Sequence, residues 1–229
     1  MEKKILIWDL PLRLFHWCLV VTIFGAWYTS DQDNNLIDYH LIFGYVALGL
    51  IAFRLIWGFL GTTHAKFVNF IPTPKKLIRY VKPQNKTQST KHPGHNPLGS
   101  LMVVFMLVLI FLQAISGLFM NDDIFTTGPY YGTIDENIES SLMFFHRNSF
   151  NFLLAAIALH ILAIIFYKIF KKKALVAAMF TGKKSTKDVT EKDAIPHSKI
   201  ITAFIVSISV AAFVYWLVIL NAPVIESYY

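Results

Sequence analysis

The chain has 229 residues, of which 55% are apolar and 15% are charged, and its mean hydropathy is +0.51. This composition, with apolar runs of about 18 or more residues, excludes a soluble globular domain and indicates a polytopic membrane protein. The net charge of +7 would suit nucleic acid if the basic residues formed one patch, but their positions follow membrane topology instead. The single cysteine, Cys18, excludes internal disulfides, cysteine-ligated iron–sulfur clusters and covalent c-type haem attachment.

Five apolar runs reach the length of about 20 residues that crosses the hydrocarbon of a bilayer. They cover about residues 13–30, 37–60, 98–120, 141–170 and 199–220. The basic amino terminus and first run look like a signal peptide, but no small-x-small cleavage site follows, so we expect a retained helix. The segment 61–97, rich in Pro, Lys, Thr and Asn, predicts an exposed loop, and 171–198 predicts a flexible linker.

Charge is distributed unevenly between the two sides of the predicted bundle. Nearly all of the 21 Lys and Arg residues lie at the amino terminus or in the segments 61–97 and 171–198 with their flanks. The opposite side holds one basic residue, Arg147, and an acidic set: Asp31, Asp33, Asp38, Asp122, Asp123, Asp135, Glu136, Glu139 and Glu226. The positive-inside rule therefore predicts a cytoplasmic-membrane protein with its amino terminus in the cytoplasm and its carboxyl terminus outside.

The fourth run contains two histidines, His146 and His160, spaced 14 residues apart. Fourteen steps of about 100° bring both side chains to one helix face, roughly 21 Å apart along the axis. On the predicted topology, His16 lies near the inner side with His160, and His40 lies near the outer side with His146. Two imidazoles from different helices at each level could hold a haem at each level.

Each histidine taken singly is equally well explained as a hydrogen-bonding residue between helices. An ionisable group within a membrane costs about 2–3 kcal/mol or more, however, and four that match in level and spacing favour a site. The other four histidines lie in loops or at interfaces, where a solvated side chain is the simpler interpretation. These are His64, His92, His95 and His197.

Small and basic residues flank the four histidines. Gly44 lies one turn after His40 on the same face, where it would let a macrocycle approach the backbone, although small residues also serve ordinary helix packing. Arg54, Arg147 and Arg13 are candidates to pair with haem propionates. For Arg147 an interface anchor is an equal alternative, and for Arg13 the positive-inside role is the simpler one. The tryptophans near the run boundaries (Trp8, Trp17, Trp27, Trp57 and Trp216) are typical of interfacial aromatic belts.

Several of these segments together resemble a known family. They are PLRLFHW (11–17), YHLIFGYVALGLIAFRLIWGF (39–59), GHNPLG (94–99), the His146–His160 spacing and AMFTGKK (178–184). The chain resembles the bacterial cytochrome b561 family over residues 5–182, nearest its nickel–iron hydrogenase-type b cytochromes. The resemblance implies two non-covalent haem b groups and quinone-linked electron transfer, with axial ligands at His16, His40, His146 and His160 paired first with last and second with third.

The expected architecture is an all-α membrane protein: a four-helix transmembrane di-haem bundle (1–182), then a linker and a fifth transmembrane helix (183–229) that departs from the family pattern. The expected function is electron transfer between the quinone pool and a c-type cytochrome or a dehydrogenase or reductase subunit, with His95 and His64 as candidate quinone contacts. Bis-histidine ligation leaves no open iron position, which suits electron transfer. A histidine-lined proton or metal transporter and a membrane anchor of a larger oxidoreductase are the alternatives.

Overall fold

The computed structural model describes residues 3–31, 36–82, 93–122 and 126–223. Four residues discussed above lie outside these ranges: His92, Asp33, Asp123 and Glu226. Within the described ranges, five helices are long and apolar enough to cross a membrane. They are α1 (Leu10–Tyr28), α2 (Ile37–Leu60), α5 (Pro97–Gly117), α6 (Glu136–Ile169) and α8 (Ile200–Tyr215), the last continued by a π-helical turn, Trp216–Leu220. The predicted all-α membrane fold with five spans is confirmed.

Polar side chains decide where three of these helices begin. Asp9 accepts a hydrogen bond from the Leu12 amide (2.7 Å), so α1 begins at Leu10 instead of near 13. Asn96 accepts from the Gly99 amide (2.7 Å) and Pro97 takes the first helical position, where its missing N–H costs nothing. The Asn–Pro of the GHNPLG motif is therefore a helix start.

The helix α6 begins before residue 141, where the fourth apolar run was predicted to start. The Asp135 carboxylate accepts from the amide of Asn137 (3.0 Å), and the helix starts at Glu136. Glu139 is buried and accepts a hydrogen bond from the Gly132 amide (2.6 Å). This carboxylate stabilises the turn before α6, near the positive end of the helix dipole.

The segment predicted as one exposed loop, 61–97, contains two short helices in its described part. They are α3 (Phe67–Phe70) and α4 (Pro74–Val81). Pro74 begins α4 after the cap residue Thr73, and Arg54 lies over the rings of Phe67 and Phe70, 4.7 and 5.3 Å from their centroids. The loop prediction was wrong here because turn-forming residues also start helices.

The segment predicted as a flexible linker, 171–198, is ordered. It forms α7 (Leu175–Thr181), β2 (Lys183–Ser185) and a 3₁₀ turn (Glu191–Asp193), and Val189 and Ile195 are buried. The strand β2 pairs antiparallel with β1 (Lys4–Leu6), with Ile5 opposite Lys184. The pairing of β2 with β1 holds this segment in place, so the prediction of a flexible linker was wrong.

The described residues fall into two compact units. The first unit is Met1–His16, Arg54–Met106 and Ala156–Val206; it includes the β1–β2 ladder and the buried side chains of Ile7, Trp57 and Val189. The second unit is Trp17–Phe53, Leu107–Ala155 and Ser207–Tyr229; its buried residues include Ile51, Ile110 and Leu153.

Two tryptophans correct the prediction of interfacial belts. Trp57 has no exposed surface and Trp8 is 6% exposed, whereas Trp27 and Trp216 are about half-exposed. The indole N–H of Trp57 donates to Asp9 (3.2 Å), which explains why this ring is buried at the end of α2.

Candidate haem-binding sites

The second unit brings His40 of α2 and His146 of α6 together. Their ring centroids lie 6.2 Å apart and their ring planes are inclined by 87°. Each ring is held by a backbone carbonyl: His40 Nδ1 lies 2.8 Å from Ala26 O, and His146 Nδ1 lies 3.0 Å from Gln113 O. Because a carbonyl oxygen only accepts, each Nδ1 donates its proton to the carbonyl, and Nε2 is the ring nitrogen that a metal would use.

A shell of polar residues in α5 and α6 surrounds His146. The hydroxyl of Ser116 lies 3.2 Å from His146 Nδ1, and the amide of Gln113 donates to the backbone oxygen of His146 (2.9 Å). Ser149, one turn further along α6, donates its hydroxyl proton to Gln113 Oε1. Gln113, the mid-span polar residue of the third run, therefore fixes α5 against α6 at His146 and Ser149.

The pair geometry fits a metal held between two imidazoles. A metal–imidazole bond is about 2 Å long, so two rings on opposite sides of one ion have centroids on the order of 6 Å apart. The described residues contain no group of three or more His, Cys, Asp or Glu side chains that could hold a metal by themselves. A pair of histidines suits a metal whose other ligands come from a macrocycle.

Glycines shape the surroundings of this pair. A Cβ at Gly44 would have no heavy atom within 4 Å, so open space lies beside α2 one turn after His40. A Cβ at Gly117 would lie 3.0 Å from His146 Cε1, so only glycine leaves this ring its position. A Cβ at Gly25 would collide with the ring of Phe43, so that glycine serves helix packing.

The first unit contains His16 of α1 and His160 of α6, within electrostatic range of each other. Both side chains are partly exposed in the polypeptide alone. His95 lies in the same unit, near both. His16 and His160 thus lie in one unit, and His40 and His146 lie in the other.

The three arginine candidates have different environments. Arg54 is 3% exposed, and its Nη1 is buried with no hydrogen-bond acceptor in the described part of the chain. Arg13 donates from Nη1 to Phe180 O, while its Nε is buried without an acceptor among the same residues. Arg147 is exposed and donates to Asn121 O (3.1 Å). A buried guanidinium nitrogen without an acceptor calls for an anionic ligand, so Arg54 is the strongest propionate candidate.

His95 and His64 lie outside the spans, around Trp8. His95 packs 4.8 Å from the Trp8 ring, and His64 lies 6.4 Å from it. His64 Nε2 is 2.7 Å from Asp193 O, whereas His95 Nδ1 is buried without a partner among the described residues. Burial, with Lys184 and Arg54 nearby, lowers the pKa of His95 to about 3, so this ring is neutral at physiological pH.

Asp9 is a site residue that sequence reasoning missed. Its carboxylate is fully buried and accepts hydrogen bonds from the Trp57 indole, the Thr62 hydroxyl and the Leu12 amide. It also lies close enough to Arg54 to stabilise that cation. The sequence does contain a signal for its capping role, because an Asp immediately before an apolar helix is typical of an N-cap.

Comparison with known proteins identifies the family. The model of the prokaryotic cytochrome b561 family matches residues 7–182. A probable Ni/Fe-hydrogenase B-type cytochrome subunit of Azotobacter vinelandii is 29% identical over 143 residues, and its counterpart in Azotobacter chroococcum mcd 1 is 27% identical. Each alignment covers 51% of this chain and 59% of the relative, so the chain spans less than two thirds of these curated relatives. No solved structure matches the chain.

The family match covers well over half of the chain and agrees with the resemblance found in its motifs. The chain belongs to the prokaryotic cytochrome b561 family, a family of electron-transporting membrane proteins whose cofactor is haem b.

Proposed function

We propose that this chain is a di-haem b cytochrome that transfers electrons between the quinone pool and a redox partner protein. In this proposal His40 and His146 bind one haem, and His16 and His160 bind the other. The observation that carries it is the His40–His146 pair, with ring centroids 6.2 Å apart and each Nδ1 bonded to a backbone carbonyl. The grouping of His16 with His160 in the other unit supports a second site.

The protein's contribution is orientation, burial and charge. The carbonyl oxygens of Ala26 and Gln113 keep the His40 and His146 rings from rotating, and they make each Nε2 a stronger donor to a metal. A haem b held by two imidazoles would supply one-electron transfer when bound. Arg54 would pair with a propionate of the haem held by His16 and His160, with Arg13 beside it, and Arg147 would serve the other haem. Gly44 would leave room for a macrocycle.

The partner and quinone assignments are also part of the proposal. The two curated relatives are named as cytochrome subunits of a Ni/Fe hydrogenase, which supports a redox enzyme as partner, with a c-type cytochrome as the other option. His95 is the better quinone candidate of the two, because its Nδ1 has no partner among the described residues while His64 is bonded to Asp193. The membrane would be the cytoplasmic membrane, with the amino terminus inside.

An optical spectrum of the purified protein tests the haem assignment. We expect a reduced-minus-oxidised spectrum with the α-band of b haem, and two haems per chain by pyridine haemochrome assay. A spectrum without haem bands, or a single haem per chain, would contradict the proposal and favour a membrane anchor or a transporter.

Single ligand variants test the pairing. His160→Ala should remove the haem of the His16–His160 pair and leave most of the other, and His146→Ala should do the reverse. The two remaining spectra should differ from each other and add up to the wild-type spectrum. Equal loss of both haems from either variant, in protein that remains monodisperse, would count against two independent pairs.

A further inference from the structure

A cavity of about 630 Å³ lies at the lysine-rich end of α6, and its lining begins at Ile164, one helical turn after His160. Its lining has two parts. One part is basic and consists of Lys168, Lys172 and Lys173. The other is apolar and includes Ile164, Val176 and Phe180. None of the described residues that line it is acidic.

The backbone builds this cavity by reversing direction between α6 and α7. Lys172 has a φ of +52°, a left-handed conformation that a lysine adopts only at some cost. The Lys173 amide closes the turn by donating to Tyr167 O (3.1 Å), and α7 begins two residues later. This reversal brings Lys172 and Lys173 to the same rim as Lys168.

The charge on this rim has no acidic counterpart among the described residues. None of the three lysines forms an ion pair there; the ion pair found joins Lys3 and Glu191. A further cation, Lys184, lies near Lys173, and burial together with Lys173 lowers its pKa to about 8. The lysines of the rim therefore create a positive electrostatic potential, which a bound anion would neutralise.

The apolar side chains of the lining are also exposed. Val176 is 43% exposed and Phe180 is 59% exposed, and the neighbouring Phe170 and Ile169 are also exposed. A soluble anion would leave these side chains uncovered, and a soluble acidic peptide would not match a cavity at the end of a membrane span. A molecule with an anionic head and apolar chains matches both parts of the lining.

We propose that this cavity binds an anionic glycerophospholipid, with the phosphate between Lys168, Lys172 and Lys173 and the acyl chains along Ile164, Val176 and Phe180. A zwitterionic lipid would bring a cation of its own to the lysine rim and should bind more weakly. The proposal does not depend on the haem assignment.

Native mass spectrometry of the full-length protein tests this site directly. The detergent-solubilised protein is titrated with phosphatidylglycerol or phosphatidylcholine of identical acyl chains. We expect tighter binding of phosphatidylglycerol. The variant Lys168→Gln/Lys172→Gln/Lys173→Gln should weaken it by up to about fivefold per lysine, since a lysine at an anionic surface contributes about 1 kcal/mol. Binding of phosphatidylcholine should change little.

A matched variant separates the cavity from general surface charge. Lys75→Gln/Lys76→Gln/Lys82→Gln removes three exposed lysines of α4 and its flank, and it should keep the wild-type preference for phosphatidylglycerol. Equal loss of preference in both triple variants would overturn the proposal, as would unchanged preference in the cavity variant. Elution as a monodisperse peak with wild-type far-ultraviolet circular dichroism shows that each variant is folded.

Two further experiments distinguish a bound lipid from a bound soluble anion. Phe180→Ser/Val176→Ser keeps every lysine and should weaken binding of phosphatidylglycerol severalfold. Inorganic phosphate and glycerol 1-phosphate, which lack acyl chains, should fail to displace the lipid at equal concentration. Displacement by either, or full affinity in the serine variant, would show a simple anion site and overturn the proposal.

Discussion

Gly44 provides a steric test at the scale of one residue. A Cβ there meets no heavy atom of the described chain, so the polypeptide alone would tolerate a larger side chain. If a haem lies against this face of α2, the series Gly44→Ala, Gly44→Val and Gly44→Leu should remove the haem of the His40–His146 pair progressively. Haem content per chain, measured by pyridine haemochrome assay, reports this loss.

Replacing a glycine within a helix by alanine or leucine stabilises the helix by about 0.5–1 kcal/mol. Loss of haem from these variants would therefore not reflect unfolding. The control is Val46→Leu, at an exposed position of the same helix, which should keep both haems. Full haem content in Gly44→Leu would show that the macrocycle does not occupy this space.

Asp9 is the residue whose replacement should cost the most stability outside the proposed ligands. Asp9→Ala removes the buried carboxylate that accepts from the Trp57 N–H and the Thr62 hydroxyl, and it removes the cap of α1. We expect a loss of about 2–4 kcal/mol in the free energy of unfolding. Thermal unfolding in detergent, followed by circular dichroism, measures it.

The matched control for Asp9 is Thr73, an exposed cap that accepts only from the Lys76 amide. Thr73→Ala should cost about 1 kcal/mol or less, because water replaces the lost hydrogen bond. Asp9→Asn keeps an acceptor oxygen and should fall between the two. Similar unfolding temperatures for Asp9→Ala and Thr73→Ala would refute the idea that burial makes Asp9 special.

At the scale of elements, β2 contributes a pH-dependent contact. Lys184 Nζ donates to Pro93 O (2.7 Å) and Gly94 O (3.2 Å), and burial lowers its pKa from 10.5 to about 8. Between these values the unfolded chain binds the proton and the folded chain does not, so Lys184 makes folding more favourable as pH rises through this window.

Lys184→Met should therefore flatten the rise of the unfolding temperature between about pH 8 and 10.5, relative to the wild type. The neighbouring Lys183 is exposed and supplies the control, Lys183→Met, whose pH profile should match the wild type. Thermal scans in detergent at several pH values provide the comparison. Parallel profiles for the wild type and Lys184→Met would contradict this account of the burial of Lys184.

The long helices were predictable because hydropathy is a property of consecutive residues. The second run was predicted at 37–60, where α2 lies, while α1 and α6 begin earlier than predicted because Asp9 and Asp135 cap them. The strands β1 and β2 were not predictable. Each has three residues, and they pair across about 180 positions of chain, so no local pattern marks either one.

The sequence also predicted only part of the candidate site. Helical periodicity and topology grouped His40 with His146, and the structure brings them together. The groups that orient them are backbone carbonyls of Ala26 and Gln113, which carry no side-chain signature in a sequence. The hydrogen bond between Trp57 and Asp9 was missed for a related reason, since it joins the end of α2 to the start of α1.

At the scale of the whole molecule, the remaining prediction concerns orientation in the membrane. The positive-inside rule assigns α4 and the 3₁₀ turn to the cytoplasm and the start of α6 to the outside. In a Cys18→Ser background, single cysteines at Lys75 and Lys192 should react with a membrane-impermeant maleimide only after the cells are opened. A cysteine at Glu136 should react in intact spheroplasts.

All three positions are exposed in the structure, so a difference in labelling reports the side of the membrane and not burial. Denatured samples of each variant supply the reference for complete labelling. Lys75→Cys and Lys192→Cys must behave alike, because the basic segments that contain them are predicted on one side. Labelling of either in intact spheroplasts, or protection of Glu136→Cys there, would reverse the orientation and place the lysine-lined cavity in the opposite leaflet.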